Sequence, residues 1–153
     1  CGDQSGQRGK EGARVKYYAV FDTNVLVASL LTKHPDSPTA LVVDAISEEK
    51  LIPLYNEEIL EEYDDVLHRA KFPFSNDAIQ NIMQMIRQFG LAISPSPTGE
   101  VLPDMDDLVF YEVVMEKRKA DDAYLITGNL KHFPTREYIV TPAEMMSILK
   151  QGE

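Results

Sequence analysis

The residues best suited to chemistry in this chain are acids that follow short apolar runs. Asp22 directly follows Tyr17–Phe21, and Asp104, Asp106 and Asp107 follow a proline-rich stretch that comes after Leu91–Ile93. Thr127 and Asn129 follow Tyr124–Ile126. If these runs are strands of one parallel sheet, the polar groups collect at its carboxyl edge, where open α/β sheets bind ligands. Several carboxylates in one place repel one another, and such a cluster usually exists to hold cations. An all-oxygen ligand set selects hard ions, Mg2+ or Mn2+, over zinc. Taken singly, Asp22 and Asp107 are most simply explained as helix caps.

The segment Glu57–Arg69 offers one more acid. At about 100° per residue, Ile59, Leu60, Tyr63, Val66 and Leu67 form one apolar helical face. Glu57, Glu58, Glu61 and Asp65 point away from that face, as a solvated surface does. Glu62 and Asp64 each lie about 40° outside the apolar arc, on opposite sides, and periodicity does not choose between them. Other chemistries lack their residues. His34, His68 and His132 are scattered without zinc-ligand spacing, no glycine-rich phosphate loop is present, and no Ser or Cys stands beside a His as a nucleophile.

The elements that must position these acids alternate. Five strands are expected, at Tyr17–Phe21, Leu51–Tyr55, Leu91–Ile93, Tyr124–Ile126 and Tyr138–Val140. Helices are expected over Val25–Leu31 (capped by Thr23 or Asn24), from Ser37-Pro38 to about Lys50, and over Glu57–Arg69. Three more should run from a Ser75 cap to about Gln88, from about Asp106 to Lys119, and from Pro142 to Lys150 behind a Thr141 cap. Ser94–Pro103, with three prolines and a glycine, is a loop. Strands alternating with helices mean a three-layer α/β/α fold around a central, mostly parallel sheet of about five strands.

Composition sets bounds on the rest. A chain of 153 residues, 44% apolar and 26% charged, suits one globular domain. Residues 1–14 hold four glycines and almost nothing apolar, so they are expected to be a disordered tail before a single domain spanning 15–153. No apolar run reaches the roughly 18 residues of a membrane span. The sole cysteine, Cys1, allows no internal disulfide, as in a cytoplasmic protein. A polar linker behind a leading cysteine would also suit a lipid-anchored bacterial protein. The net charge of −10 argues against a broad basic nucleic-acid surface. It is compatible with simple solubility, or with gathered carboxylates that bind a cation and a surface partly covered by a basic partner.

Four segments together resemble the PIN-domain family, and within it the toxin components of bacterial toxin–antitoxin pairs. YYAVFDTNVLVASLL is similar to the family's first strand and helix, with its Asp-Thr-Asn triplet at Asp22, Thr23 and Asn24. EILEEYDDVLHR resembles the helix with the family's second acid, which matches Glu62 before Tyr63. PDMDDLVFYEVVM resembles the acidic loop and helix, where the essential aspartate matches Asp107 and Asp104 is an auxiliary. AYLITGNLKHF is similar to the fourth strand and its Thr-Gly-Asp ending, except that Asn129 stands where many relatives carry an aspartate. An amide oxygen still ligates metal but brings no charge, so this site should hold one ion more firmly than two.

The resemblance implies a metal-dependent ribonuclease. Asp22, Glu62 and Asp107 would converge on Mg2+ or Mn2+, with Asn129 an auxiliary ligand and Asn24 and Thr127 orienting the acids from behind. Water would attack phosphorus in line, leaving a 5′-phosphate and a 3′-hydroxyl. Lys131 and His132, with Lys33 and Arg136 behind them, are the expected RNA contacts, although solvated surface explains them equally well. The implied partners are RNA, a small antitoxin protein and a second copy in a homodimer. The main alternative is a PIN-fold module that binds RNA or protein with little or no cleavage, which Asn129 favours. A phosphoacceptor signalling domain would need paired acids after the first strand and a lysine ending a late strand. A phosphotransferase of the haloacid dehalogenase type would need an acid at Asn24.

Overall fold

The structure is a computed structural model and describes residues 16–152. The expected tail, residues 1–14, lies outside the described residues. Strands β1 (Tyr18–Phe21), β2 (Ile52–Tyr55), β3 (Leu91–Ala92), β4 (Ala123–Ile126) and β5 (Ile139–Val140) form one sheet in the order β3-β2-β1-β4-β5. Every pairing is parallel. The helices are α1 (Thr23–Leu31), α2 (Pro38–Ser47), α3 (Glu57–Leu67), α4 (Asn76–Phe89), α5 (Leu108–Arg118) and α6 (Pro142–Gln151). They flank the sheet as a three-layer α/β/α fold. α1 packs on α2 and α2 on α6, α3 packs on α4, and α5 lies against β1 and β4.

Local sequence accounts for most helix starts. Ser37 accepts from the Ala40 amide ahead of Pro38, Asn56 from Ile59 and Ser75 from Ala78. Thr141 and Glu144 form a reciprocal capping box at α6. Two starts differ from expectation. α1 begins at Thr23 itself, so Asp22 rather than Thr23 or Asn24 occupies the cap position. The helix expected from Asp106 is a short 3-10 turn, Met105–Asp107, that runs into α5 at Leu108.

The strand order carries the functional consequence. From β1 the chain moves outward to β2 and β3, then returns to the other side of β1 as β4. The switch point therefore lies between the carboxyl ends of β1 and β4, and a crevice opens there. β1 is the central strand, with Ala19, Val20 and Phe21 buried. On the β2 side, the chain leaves α4 through Gly90 in very close approach to the backbone. A Cβ there would collide with the Ile86 carbonyl and stand 2.6 Å from that of Pro53. Because backbone cannot yield as a side chain does, Gly90→Ala should cost about 1–3 kcal/mol. Urea denaturation checks this, and a variant of unchanged stability would show that α4 can shift freely against β2.

Candidate functional site

Asp22 is the first residue beyond β1. Its backbone N–H donates to Ile126 O of β4 at 2.9 Å, which ties it to the switch point. Its side chain is buried, 6% exposed. Burial raises its pKa above the ordinary carboxyl value, and the main force opposing that shift is Thr127, whose Oγ1 donates to Asp22 Oδ2 at 2.7 Å. Asn24 Nδ2 approaches the same oxygen at 3.4 Å. The amides of Thr23 and Asn24 also favour the anion, yet Asp22 makes no side-chain cap hydrogen bond to α1. Its strongest partner is therefore Thr127 of the neighbouring strand, not the start of α1.

The same test applied to the other acids separates them. Asp107 occupies the cap position of α5 and makes no cap hydrogen bond either. Asp104 is a true cap: it is exposed and its Oδ1 accepts from the Asp106 amide at 3.0 Å. Glu62 is half-buried on α3, and burial raises its pKa, with the charges of Asp106, Asp65 and Asp22 adding to the rise. Asp64 is exposed and lies 3.4 Å from His68 on the outer surface. Of the two acids that periodicity left open, Glu62 is thus the one that feels the charge of Asp22.

Asp107 is the most strained of these groups. Burial, then the charges of Asp22 and Asp104, push its carboxyl up to about 6. Its Oδ2 is buried and has no hydrogen-bond partner. His132 Nδ1 comes within 3.3 Å of it, inside ion-pair reach but without hydrogen-bond geometry. Among the described residues the one other buried side-chain atom without a partner is Thr23 Oγ1, directly beside Asp22. Buried polar atoms in folded proteins are normally hydrogen-bonded, and both of these exceptions lie at the carboxyl edge of the sheet. The acids share a field but do not form a closed ligand shell. Among the described residues no three His, Cys, Asp or Glu side chains stand close enough together to hold one ion.

The rest of the edge is polar and shaped. Thr127 is fully buried, and its Oγ1 also accepts from the Asn129 amide at 2.9 Å. Asn24 Oδ1 accepts from the Gly128 amide at 3.3 Å, which joins the start of α1 to the loop after β4 across the crevice. A cleft of about 300 Å3 opens beside them, lined in part by Asn24, Thr39, Gly128 and Asn129. The residues that match the family span 18–131, under the description PIN domain. The chain belongs to the PIN domain family. That match covers every element from β1 to the turn after β4, and it makes this a nuclease-type fold. No curated protein and no solved structure matches the chain.

Within the PIN fold the basic candidates separate. Lys131 and His132 sit on a short 3-10 helix at the carboxyl edge, Lys131 exposed and His132 half-buried. Lys33 lies past the far end of α1, about 13 Å along the helix axis from Asp22. Arg136 precedes β5, at the amino side of the sheet, and donates to its neighbour's carbonyl, Thr135 O. Two contributors were not legible in the sequence. Tyr63, read as core, donates its hydroxyl to Phe21 O and so pins α3 to the end of β1, next to Glu62. His132, read as RNA-facing surface, stands between Asp107 and Asn129, its Nε2 3.0 Å from Asn129 Nδ2. A helical face hides the first, and a contact between loops 25 residues apart in sequence hides the second.

The raised carboxyl of Asp107 has a consequence for stability. The folded state holds this proton more tightly than the unfolded chain, where the carboxyl returns to near 3.8. Its contribution is therefore full below about pH 4 and is lost as pH rises through about 6. Asp107→Asn keeps the shape and removes the charge. In EDTA at pH 7 it should equal wild type or exceed it by up to roughly 1–2 kcal/mol. The gap should close near pH 4. Paired urea melts at the two pH values check this, and a variant clearly less stable at pH 7 would show that the fold needs the anion.

Proposed function

We propose that this PIN domain is a metal-dependent ribonuclease that hydrolyses RNA phosphodiester bonds, and that it is the toxin of a toxin–antitoxin pair. The nuclease reading rests on one observation above all. Asp22 is buried at the end of β1, Asp107 stands where the 3-10 turn meets α5, and the buried Asp107 Oδ2 takes no hydrogen bond, its near neighbour being His132 Nδ1 at 3.3 Å. Acids crowded at one partly buried edge, each raising the pKa of another, suit a divalent cation, which PIN domains typically use. Asp22, Glu62 and Asp107 would hold Mg2+ or Mn2+, with Asn129 as a neutral neighbour; Asp104 is already occupied as a cap. Bound there, the ion supplies positive charge and Lewis acidity at the phosphodiester.

The chain's own residues do the positioning. Thr127 and Asn24 fix one oxygen of Asp22, and Tyr63 holds α3 so that Glu62 faces the same edge. The cleft beside Asn24 and Gly128 gives a nucleotide room next to the acids, and Lys131 at the rim meets phosphate locally. A net charge of −10 repels RNA at long range and suits a short basic antitoxin that would cover part of the surface. A cytoplasmic setting follows from that role, and among the described residues no helix is long and apolar enough to cross a membrane. A second reading, a PIN module that binds RNA or protein without cutting, is favoured by Asn129 alone, where an acid would have strengthened the ion's hold.

RNA cleavage should require Mg2+ or Mn2+ and stop with EDTA. Asp22→Asn should lower the rate by at least about two orders of magnitude. Gel assays of wild type and variant prepared in parallel check this. Equal rates in the two would assign the activity to a contaminant, and a wild type that binds RNA without cutting it would favour the binding module.

A further inference from the structure

Gly128 is a glycine that the fold does not need. Its backbone is not in the left-handed region, and a Cβ there would meet only Asn24 Oδ1, at 3.6 Å, an ordinary contact. What a side chain at this position would take up is space in the cleft of about 300 Å3 that Gly128 and Asn24 both line. The cleft stands beside the acids, since Asn24 Nδ2 approaches Asp22 Oδ2 at 3.4 Å. Its apolar wall is made by Val25 and Ala28 of α1 and Pro142 of α6. Its polar atoms come from Thr39 of α2 and from Asn129. Asn24 is committed elsewhere, to the Gly128 amide and to Asp22. Thr39 Oγ1 has Ser37 Oγ at 3.3 Å, which leaves it a further hydrogen bond to make. Asn129 turns its Nδ2 to His132 Nε2, and its side-chain carbonyl oxygen remains able to accept.

We propose that this cleft receives one unpaired base of the RNA, so that the chain cuts single strands beside that base and leaves duplex alone. This rests on the ribonuclease reading given above. A volume of about 300 Å3 is at the lower limit of small-molecule sites, which suits one base and not a base pair. The apolar wall suits the face of a base, and every base has such a face. Thr39 and Asn129 then meet its edge, one as donor or acceptor and the other as acceptor. Unstacked bases are read on the edge that a duplex uses for pairing. A paired base is thus excluded twice, by its bulk and by an edge already in use. The same device answers the charge of the chain. At a net charge of −10 the surface cannot grip RNA through many phosphates, and a base held in a neutral cleft needs none of them. Its own phosphate is then carried to the acids beside Asn24.

The test is binding, read without cleavage. A short end-labelled RNA strand, and the same strand annealed to its complement, are titrated with protein in EDTA and followed by fluorescence anisotropy. Salt at about 0.15 M screens charges beyond about 8 Å. Wild type should bind the single strand at least about tenfold more tightly than the duplex. Gly128→Val fills the cleft and should weaken single-strand binding at least about fivefold while melting as wild type does. Thr39→Val keeps the side-chain shape, removes the hydroxyl and should weaken it about threefold. If duplex binds as well as single strand, or if both variants bind as wild type does, the cleft takes no base. Should Gly128→Val fail to fold, Thr39→Val decides by the same criterion. Cleavage of the same strand by wild type in Mn2+ reads the nuclease assignment separately. Cleavage with an idle cleft overturns the proposal and leaves the nuclease, and single-strand binding lost in the variants but without cleavage leaves the base cleft and overturns the nuclease. Wild type that binds neither RNA overturns the proposal.

Discussion

Everything at the carboxyl edge depends on keeping a carboxyl group buried at the end of the central strand. Asp22 is placed there by β1, and its amide is tied to β4 by a hydrogen bond to Ile126 O, which fixes its backbone beside Thr127. Burial disfavours its charge. The strongest compensating group is the Thr127 hydroxyl, which the neighbouring strand delivers to the same point. The parallel pairing of β1 with β4 thus does two things at once. It completes the core, and it brings together residues 105 positions apart in sequence that make a buried anion tolerable.

The remaining acids add tension rather than relief. Asp107 feels Asp22 and Asp104, and Glu62 feels Asp106 and Asp22. Asp107 lies in helical backbone where the 3-10 turn runs into α5, and the Leu108 amide is already taken by Met105 O, so capping makes no demand on its side chain, unlike Ser37, Asn56 and Ser75. Its buried Oδ2 takes no hydrogen bond and faces only the His132 ring, at 3.3 Å. Such local conflict costs the folded state free energy, and sites of that kind are where function is concentrated. A divalent ion would turn the repulsion into shared attraction, and the acids, spread too widely to form a shell on their own, would close on it.

Much of this was legible in the sequence, for physical reasons that also explain what was not. The alternation of strand and helix, the Ser37-Pro38, Ser75 and Thr141 starts, and the five-strand parallel sheet all follow from short-range rules of capping and periodicity. Asp22 and Asp107 were visible as acids at element ends, but capping and ligand binding look the same in a sequence. Only the backbone shows which partners each takes: Asp22 takes Thr127 across the sheet, and Asp107 faces His132. Glu62 and Asp64 were symmetric about an apolar arc, and only the placement of α3 by Tyr63 and Phe21 breaks that symmetry. His132 was harder still, because its contact with Asp107 joins two loops whose meeting depends on the β1–β4 switch. Lys33 and Arg136 were grouped with Lys131 by charge, whereas helix length and strand direction carry them elsewhere.

A cation shared by Asp22, Glu62 and Asp107 at the β1–β4 switch point would show itself in which amides a bound Mn2+ reaches. The most direct measurement is paramagnetic broadening of backbone amide signals as substoichiometric Mn2+ is added to the isotopically labelled chain. The amides of Asp22, Glu62, Asp107 and Asn129 should broaden first and together, ahead of those around Asp64 and His68 on the outer surface of α3. Broadening centred on the exposed acids Glu57, Glu58, Glu61 and Asp65, or spread evenly over the acidic surface, would contradict the account.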